Sequence, residues 1–280
     1  MTGTAAAPHR PLSPVSVVIP CFRCAATIDR AVASVACQSA LPAELILVED
    51  ASGDDTLPAL HRLKDRFQAG WIRIVAQSKN SGAGPARNAG WDAARAEYVA
   101  FLDADDAWHP KKIEIQLQAM SAHPDAVLSG HRSAIGGEMP DPGSPNNVPV
   151  RKITFGQLLF ANRFVTPSVM LKRAVTFRFR EGQRHMEDHL LWMQIAASGA
   201  LVLRLDSTLA TTFKPAYGAT GLSSNLWLME KAECGNYRHL AETGAISHLG
   251  ALALCVYSAL KFFKRIAVVT ARRMRAPSPV

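Results

Sequence analysis

The chain has 280 residues, 48% of them apolar and 19% charged, a length that suits one large α/β domain or one domain with an appendage. That balance excludes a disordered or collagen-like chain and does not require a polytopic membrane protein. The net charge of +8 is concentrated at one end: Lys261, Lys264, Arg265, Arg272, Arg273 and Arg275 all follow the last acid, Glu242, and leave +2 for the rest. Such placement points to a surface-binding tail rather than a nucleic-acid groove, so no nucleic-acid partner is expected.

Cys21, Cys24, Cys37, Cys234 and Cys255 are an odd number of cysteines in a chain too long to need disulfide staples, which suits a reducing compartment. Residues 1–14 form a flexible N-terminus without the apolar core of a signal peptide, so a cytoplasmic location is expected. The uncharged stretch 243–260 has the minimum length of a membrane span. Thr243, Gly244, Ser247, His248, Gly250 and Ser258 weaken that reading.

Short apolar strands then alternate with helices. Residues 15–20 (VSVVIP) suit a strand buried on both faces of a parallel sheet. Thr27 stands where it would N-cap a helix carrying Ile28, Ala31, Val32 and Val35 at helical spacing. Residues 44–49 (ELILVE) form a second strand, 50–55 a polar loop, 56–67 a helix and 71–75 a third strand. After the glycine-bearing loop 80–84, Pro85 suits the first turn of a helix. Residues 98–102 form a fourth strand that ends on acids. This alternation over 15–129 predicts βαβ units with right-handed crossovers. In the second half, 136–149 is rich in Pro and Gly and reads as an exposed loop or hinge. A short helix follows at 155–160, a strand at 168–171, a helix at 187–197, strands at 201–205 and 208–213, and a helix at 251–270.

In open parallel sheets the ligand crevice lies beyond the carboxyl ends of the strands, and four polar loops end there: 20–23, 50–55, 80–87 and 103–106. Asp103 and Asp105, two apart in DADD, can both reach one hard divalent cation together with substrate phosphates. The other reading is a solvated acidic turn ahead of the helix near Pro110. The loop 80–88 (NSGAGPARN) breaks the dinucleotide fingerprint at its third glycine. A helix N-terminus with Arg87 still suits a diphosphate. Glu187 and Asp188, adjacent acids opening an apolar helix, fit either proton transfer or compensation of the helix dipole. Cys21 and Cys24 make a CxxC pair, but no second ligand pair accompanies them, so neither zinc nor redox chemistry is expected.

Taken in order, VSVVIPCF, ILVEDASGDDT, NSGAGPARNAG, YVAFLDADDAWHPKKIEIQ and MEDHLLW resemble family 2 glycosyltransferases of the GT-A fold. The resemblance implies a Rossmann-like, mostly parallel sheet flanked by helices, here with a C-terminal helical appendage. It implies a nucleotide-sugar-binding half at 15–130, an acceptor-binding and catalytic-base half at 131–225, and a basic, apolar helical region at 226–280. It implies an inverting, hexosyltransferase-type enzyme that moves one sugar from a nucleotide-diphosphate donor, UDP-sugar preferred, using Mn²⁺ or Mg²⁺. The acceptor would be a hydroxyl of a glycan or lipid-linked molecule in cell-envelope polysaccharide synthesis.

Carried over residue by residue, the resemblance makes Asp50 the reader of the base, with Pro20 and Phe22 beside it. Arg87 and Asp103 fall near the donor, Asp105 on the metal, and Asp188 matches the catalytic base. Lys214 stands where the family more often has Arg near the diphosphate, and Glu49 where it more often has Asp. The QxxRW element of processive synthases is absent, which favours single-sugar transfer. The alternatives are a non-catalytic nucleotide-sugar-binding scaffold and a sugar-nucleotide pyrophosphorylase; the latter's glycine-rich loop is missing from 20–26. The basic, apolar C-terminal helix predicts peripheral association with the anionic inner face of the cytoplasmic membrane. Packing on its own domain or in a homodimer are the competing roles for that helix.

Overall fold

The computed structural model describes residues 12–137, 139–213 and 225–275, with side chains described as far as Phe262. The first half follows the expected alternation: β1 (Ser13–Cys21), α1 (Ile28–Ala36), β2 (Pro42–Glu49), α2 (Thr56–Asp65), β3 (Ile72–Ala76), α3 (Ala83–Ala93) and β4 (Tyr98–Phe101). A two-residue strand, β5 (Ala107–Trp108), precedes α4 (Lys112–Ala122) and the long β6 (Ala126–Ile135). Then come β7 (Val150–Ile153), α5 (Phe155–Phe160), β8 (Met170–Lys172), α6 (Glu187–Ala197), β9 (Leu201–Thr212), α7 (Leu226–Glu242) and α8 (His248–Arg275).

These strands form one sheet in the order β3-β2-β1-β4-β8-β6-β9-β5, with β7 also paired to β9. The β3-β2-β1-β4 block is parallel throughout. Beyond it β8 runs antiparallel to both β4 and β6, while β6 and β9 are parallel. In the parallel block both faces are covered, which is why β1 and β2 read as continuous apolar runs. Val17, Ile19, Leu45 and Leu47 pack under α1 and α2, whereas Val18, Ile46 and Val48 face α3 and the α6 side. Each such fully buried side chain contributes about 1.5–3 kcal/mol.

Three details differ from the sequence expectation. Thr27 precedes α1, but its hydroxyl donates to the Cys24 carbonyl (3.3 Å) and makes no cap bond. The two strands expected at 201–205 and 208–213 are one strand, β9. Pairing irregularities against β6 absorb the polar Asp206-Ser207-Thr208 step that reads as a break. The third is at the C-terminus, where Lys261, read as part of a surface-binding tail, instead donates to Glu233 Oε1 at 3.2 Å and to the Phe160 carbonyl at 3.1 Å. The inner face of α8, with Ala251, Leu254 and Ser258, is buried. Among the described residues no helix is long and apolar enough to cross a membrane.

Candidate active site

The carboxyl ends of β1, β2 and β4 and the loop after β3 converge, as parallel strands must. Pro20, one residue before the end of β1, is in register with Val48 of β2, and Phe22, beyond the strand, is 45% exposed with Arg23 stacked over its ring. Asp50 is buried. Its carboxylate accepts from Asn80 Nδ2 (3.1 Å) and from the backbone N–H groups of Ser81 (2.9 Å) and Gly82 (2.8 Å). Glu49 accepts from the N–H groups of Ala51 (3.1 Å) and Ser52 (2.7 Å). The longer Glu at that place thus folds its own turn, while Asp50 ties that turn to the loop entering α3. Arg23, Ala51 and Met186 adopt positive φ without being glycine. All three sit in loops bordering this crevice, where backbone strain is held by the surrounding bonds.

At the centre lies an ion network. Arg87, on α3, is almost fully buried; it donates to Asp103 Oδ1 at 2.7 Å and to Glu187 Oε1 at 3.3 Å, and lies against the Phe179 ring. Burial opposes its charge, but Asp103 and Glu187 outweigh that and raise its pKa. Gly84 lets α3 lie close to Phe179, whose Cβ would stand 3.3 Å from a Cβ at that position. Asn88 fastens the same helix to Phe179 through two backbone bonds of 2.7 and 3.0 Å.

Asp188 stands beside Glu187 at the start of α6. Its Oδ2 accepts from Thr166 Oγ1 (3.3 Å) and Asn162 Nδ2 (3.4 Å), and its Oδ1 from the His189 N–H (2.6 Å). Burial pushes the Asp188 carboxyl above the ordinary value, against the pull of Arg87 and these hydrogen bonds. Glu187 is raised for the same reason, with Asp188 adding to burial and Arg87 opposing it. A carboxylate so placed is a stronger base than one in water.

Asp103 and Asp105 lie in a tight turn closed by the Asp106 N–H to the Asp103 carbonyl (3.1 Å). Asp105 is half-buried, and its backbone carbonyl accepts from Arg30, which also stacks on Phe213 at 3.7 Å. Among the described residues no group of three or more His, Cys, Asp or Glu side chains is gathered to hold a metal ion. The donor set that is present, carboxylate oxygens two residues apart, fits a hard cation that takes its remaining ligands from phosphate and water.

The structure therefore brings Arg87, Asp103 and Asp188 into one cluster, joined by Glu187, and sets Asp50 at its edge holding the loop before α3. Lys214 lies outside the described residues. Cys21 and Cys24 are buried free thiols. Sequence reasoning missed Asn162 and Thr166, which hold Asp188 from more than twenty residues away in the chain and share no readable spacing with it. It also missed Arg184, whose guanidinium reaches Asn80 Oδ1 at 3.4 Å over the same loop.

Residues 16–179 match the family model described as glycosyl transferase family 2. The chain is 29% identical over 187 residues to the Escherichia coli UDP-Glc:alpha-D-GlcNAc-diphosphoundecaprenol beta-1,3-glucosyltransferase WfaP, covering 66% of this chain and 71% of that protein. It is 29% identical over 230 residues to the putative teichuronic acid biosynthesis glycosyltransferase TuaG of Bacillus subtilis, covering 81% and 88%. Among solved structures, S. aureus TarS 1–349 in complex with UDP-GlcNAc superposes with a TM-score of 0.65 at 19% identity, over 81% of this chain and 65% of that one. Mannosyltransferase PcManGT from Pyrobaculum calidifontis, in complex with GDP-Man and Mn²⁺, gives 0.64 at 16% identity, over 95% and 82%. These two likenesses carry the GT-A fold.

Proposed function

Because the chain belongs to glycosyl transferase family 2, we propose that its crevice is the centre of an inverting, single-sugar transferase. The donor is a nucleotide-diphosphate sugar, UDP-sugar by preference, and the acceptor a hydroxyl of a glycan or lipid-linked molecule in cell-envelope polysaccharide synthesis. The named activities of WfaP and TuaG support that acceptor class. The observation that carries the reading is the buried network Asp103–Arg87–Glu187 with Asp188 beside it. It juxtaposes a cation fit for phosphate with a carboxylate fit to remove a proton.

Residues 15–130 hold the donor. Asp50, Pro20 and Phe22 form the wall for the base; Asp50 uses three of its roughly four acceptor positions on the loop and keeps the other for a ligand N–H. Arg87 and Asp103 orient the diphosphate and sugar, with Lys214 assigned to the diphosphate by its place in the family pattern. Asp105, with Asp103 beside it, would hold Mn²⁺ or Mg²⁺, which when bound neutralises charge developing on the leaving nucleoside diphosphate. Residues 131–225 bring the acceptor to Asp188. As the acceptor oxygen attacks the anomeric carbon from the side opposite the leaving group, Asp188 takes its proton. Asn162 and Thr166 hold the carboxylate in place.

Residues 226–280 dock the enzyme on the inner face of the cytoplasmic membrane. Leu249, Leu252, Val256 and Leu260 form an exposed stripe on α8, opposite its packed face, and the basic residues follow it in the chain. The test of the donor reading is release of UDP from UDP-glucose with Mn²⁺, comparing wild type, Asp105→Ala and Asp188→Asn. The reading expects both variants to be impaired, and undiminished turnover in both would overturn it.

A further inference from the structure

Near its start, β9 carries an arginine where a sheet ordinarily avoids one. Arg204 lies directly opposite Arg151 of β7 in the antiparallel register and opposite Gly130 of β6 on its other side. Like charges facing each other across strands are destabilising, and here more positive charge is added. Arg132 of β6 and Arg163 of the loop after α5 also press on Arg204. Burial first, then these positives, lower its pKa although Asp206 stands near. Asp206 pairs with both Arg132 and Arg151, the latter at 3.5 Å, while Arg204 feels three other guanidinium groups against that carboxylate. Arg204 Nε is buried with no hydrogen-bond partner among the described residues. Arg132 and Arg151 are more than half exposed, which leaves the cluster open to solvent.

Its place relative to Asp188 is set by the strap 162–166. Asn162 and Thr166 hold Asp188, and Arg163 lies between them in the chain. The Phe164 ring occupies the space over Gly130, where a Cβ would approach it to 2.3 Å, so the strap sits against the strand position paired with Arg204. A single short segment thus connects the proposed base to a group of arginines that outnumber the carboxylate paired with them.

We propose that Arg132, Arg151, Arg163 and Arg204 form a subsite for a phosphate-type anion on the acceptor, the diphosphate of a lipid-linked sugar, which docks there while the sugar hydroxyl lies at Asp188. The inference rests on the reading of Asp188 as the acceptor's base. Planar guanidinium forks match phosphate oxygens in pairs, and four of them around one carboxylate retain positive charge for a ligand.

The test is equilibrium binding of inorganic pyrophosphate to the full chain, with UDP and Mn²⁺ saturating the donor site, for wild type and the double variant Arg151→Gln/Arg204→Gln. Pyrophosphate affinity should fall by about tenfold or more in the variant, with UDP affinity and thermal midpoint retained. If Arg204→Gln lowers the midpoint, the exposed pair Arg132→Gln/Arg163→Gln makes the same measurement on an intact fold. Unchanged pyrophosphate affinity in these variants would overturn the proposal. So would loss of binding to phosphatidylglycerol vesicles alone, which would make the cluster a headgroup site. If UDP fails to bind while pyrophosphate affinity still falls on substitution, the donor reading fails and the anion subsite stands.

Discussion

At the scale of single residues, the proposed base is a carboxylate whose pKa is raised by burial. Asp188 holds its proton to higher pH in the folded chain than in the unfolded one. Folding stability therefore falls as pH rises from the ordinary carboxylate value through the folded one, while the basic form needed for transfer appears over the same rise. Asp188→Asn should accordingly lose transfer by ~10²–10⁴-fold yet be no less stable than wild type at neutral pH, as urea unfolding would show. The wild-type rate should climb with pH through a midpoint above the ordinary Asp value. A midpoint at or below that value would contradict the role. Asp50 makes a different demand: Asp50→Asn replaces one acceptor oxygen by a donor facing backbone N–H groups and should cost about 1–3 kcal/mol, read by urea denaturation, together with weaker UDP binding. Asp50, Asp103 and Asp188 were legible in the sequence because each ends a strand or opens a helix within a recognisable run. Asn162, Thr166 and Arg204 were not, because what they do depends on partners brought to them by the sheet.

Among the elements, α3 carries Arg87, and its position depends on one glycine. A Cβ on Gly90 would approach Val18 Cγ1 to 2.3 Å and Val48 Cγ2 to 3.0 Å, both on central strands that cannot yield. Helix propensity alone would make Gly90→Ala stabilising by about 1 kcal/mol. The overpacking predicts the opposite sign, a loss of about 1–3 kcal/mol with weaker donor binding as α3 is pushed off the sheet. A thermal midpoint equal to or above wild type would show that the close approach is not what holds the helix. The parallel strands were readable because two buried faces demand unbroken apolar runs, and α6 because two acids open a long apolar stretch. Strand β6 was not, since AVLSGHRSAI turns polar halfway, where Ser129 accepts from Gln116 and Gly130 packs against the Phe164 ring. Helix α7 lies within the region 226–280 expected to be helical, and its buried Glu233 and Tyr237 bond to each other at 2.8 Å.

For the molecule as a whole, the C-terminal helix serves two surfaces. Its inner face is fastened by Lys261 to the buried Glu233, whose pKa is held below the ordinary range by Lys261, His189 and the Tyr237 hydroxyl although burial pushes the other way. This contribution is present above the ordinary carboxylate pKa and is lost as pH falls through the lower, folded value. Lys261→Ala leaves the acid buried without its cation and should cost about 3 kcal/mol at neutral pH, a difference that narrows on acidification. The outer face keeps its apolar stripe in solvent, so the full chain should float with phosphatidylglycerol vesicles, less so at high salt. Val256→Gln/Leu260→Gln should stay behind, and equal recovery of both proteins would assign the stripe to another role. Direct displacement at the anomeric carbon, with Asp188 taking the proton, is read out by stereochemistry. Early-time NMR of UDP-α-glucose hydrolysis in the presence of Mn²⁺ needs no knowledge of the natural acceptor. β-Glucose should be the first-formed anomer, at a rate that collapses in Asp188→Asn; α-glucose formed first, or an undiminished rate in that variant, would contradict direct displacement with Asp188 as base.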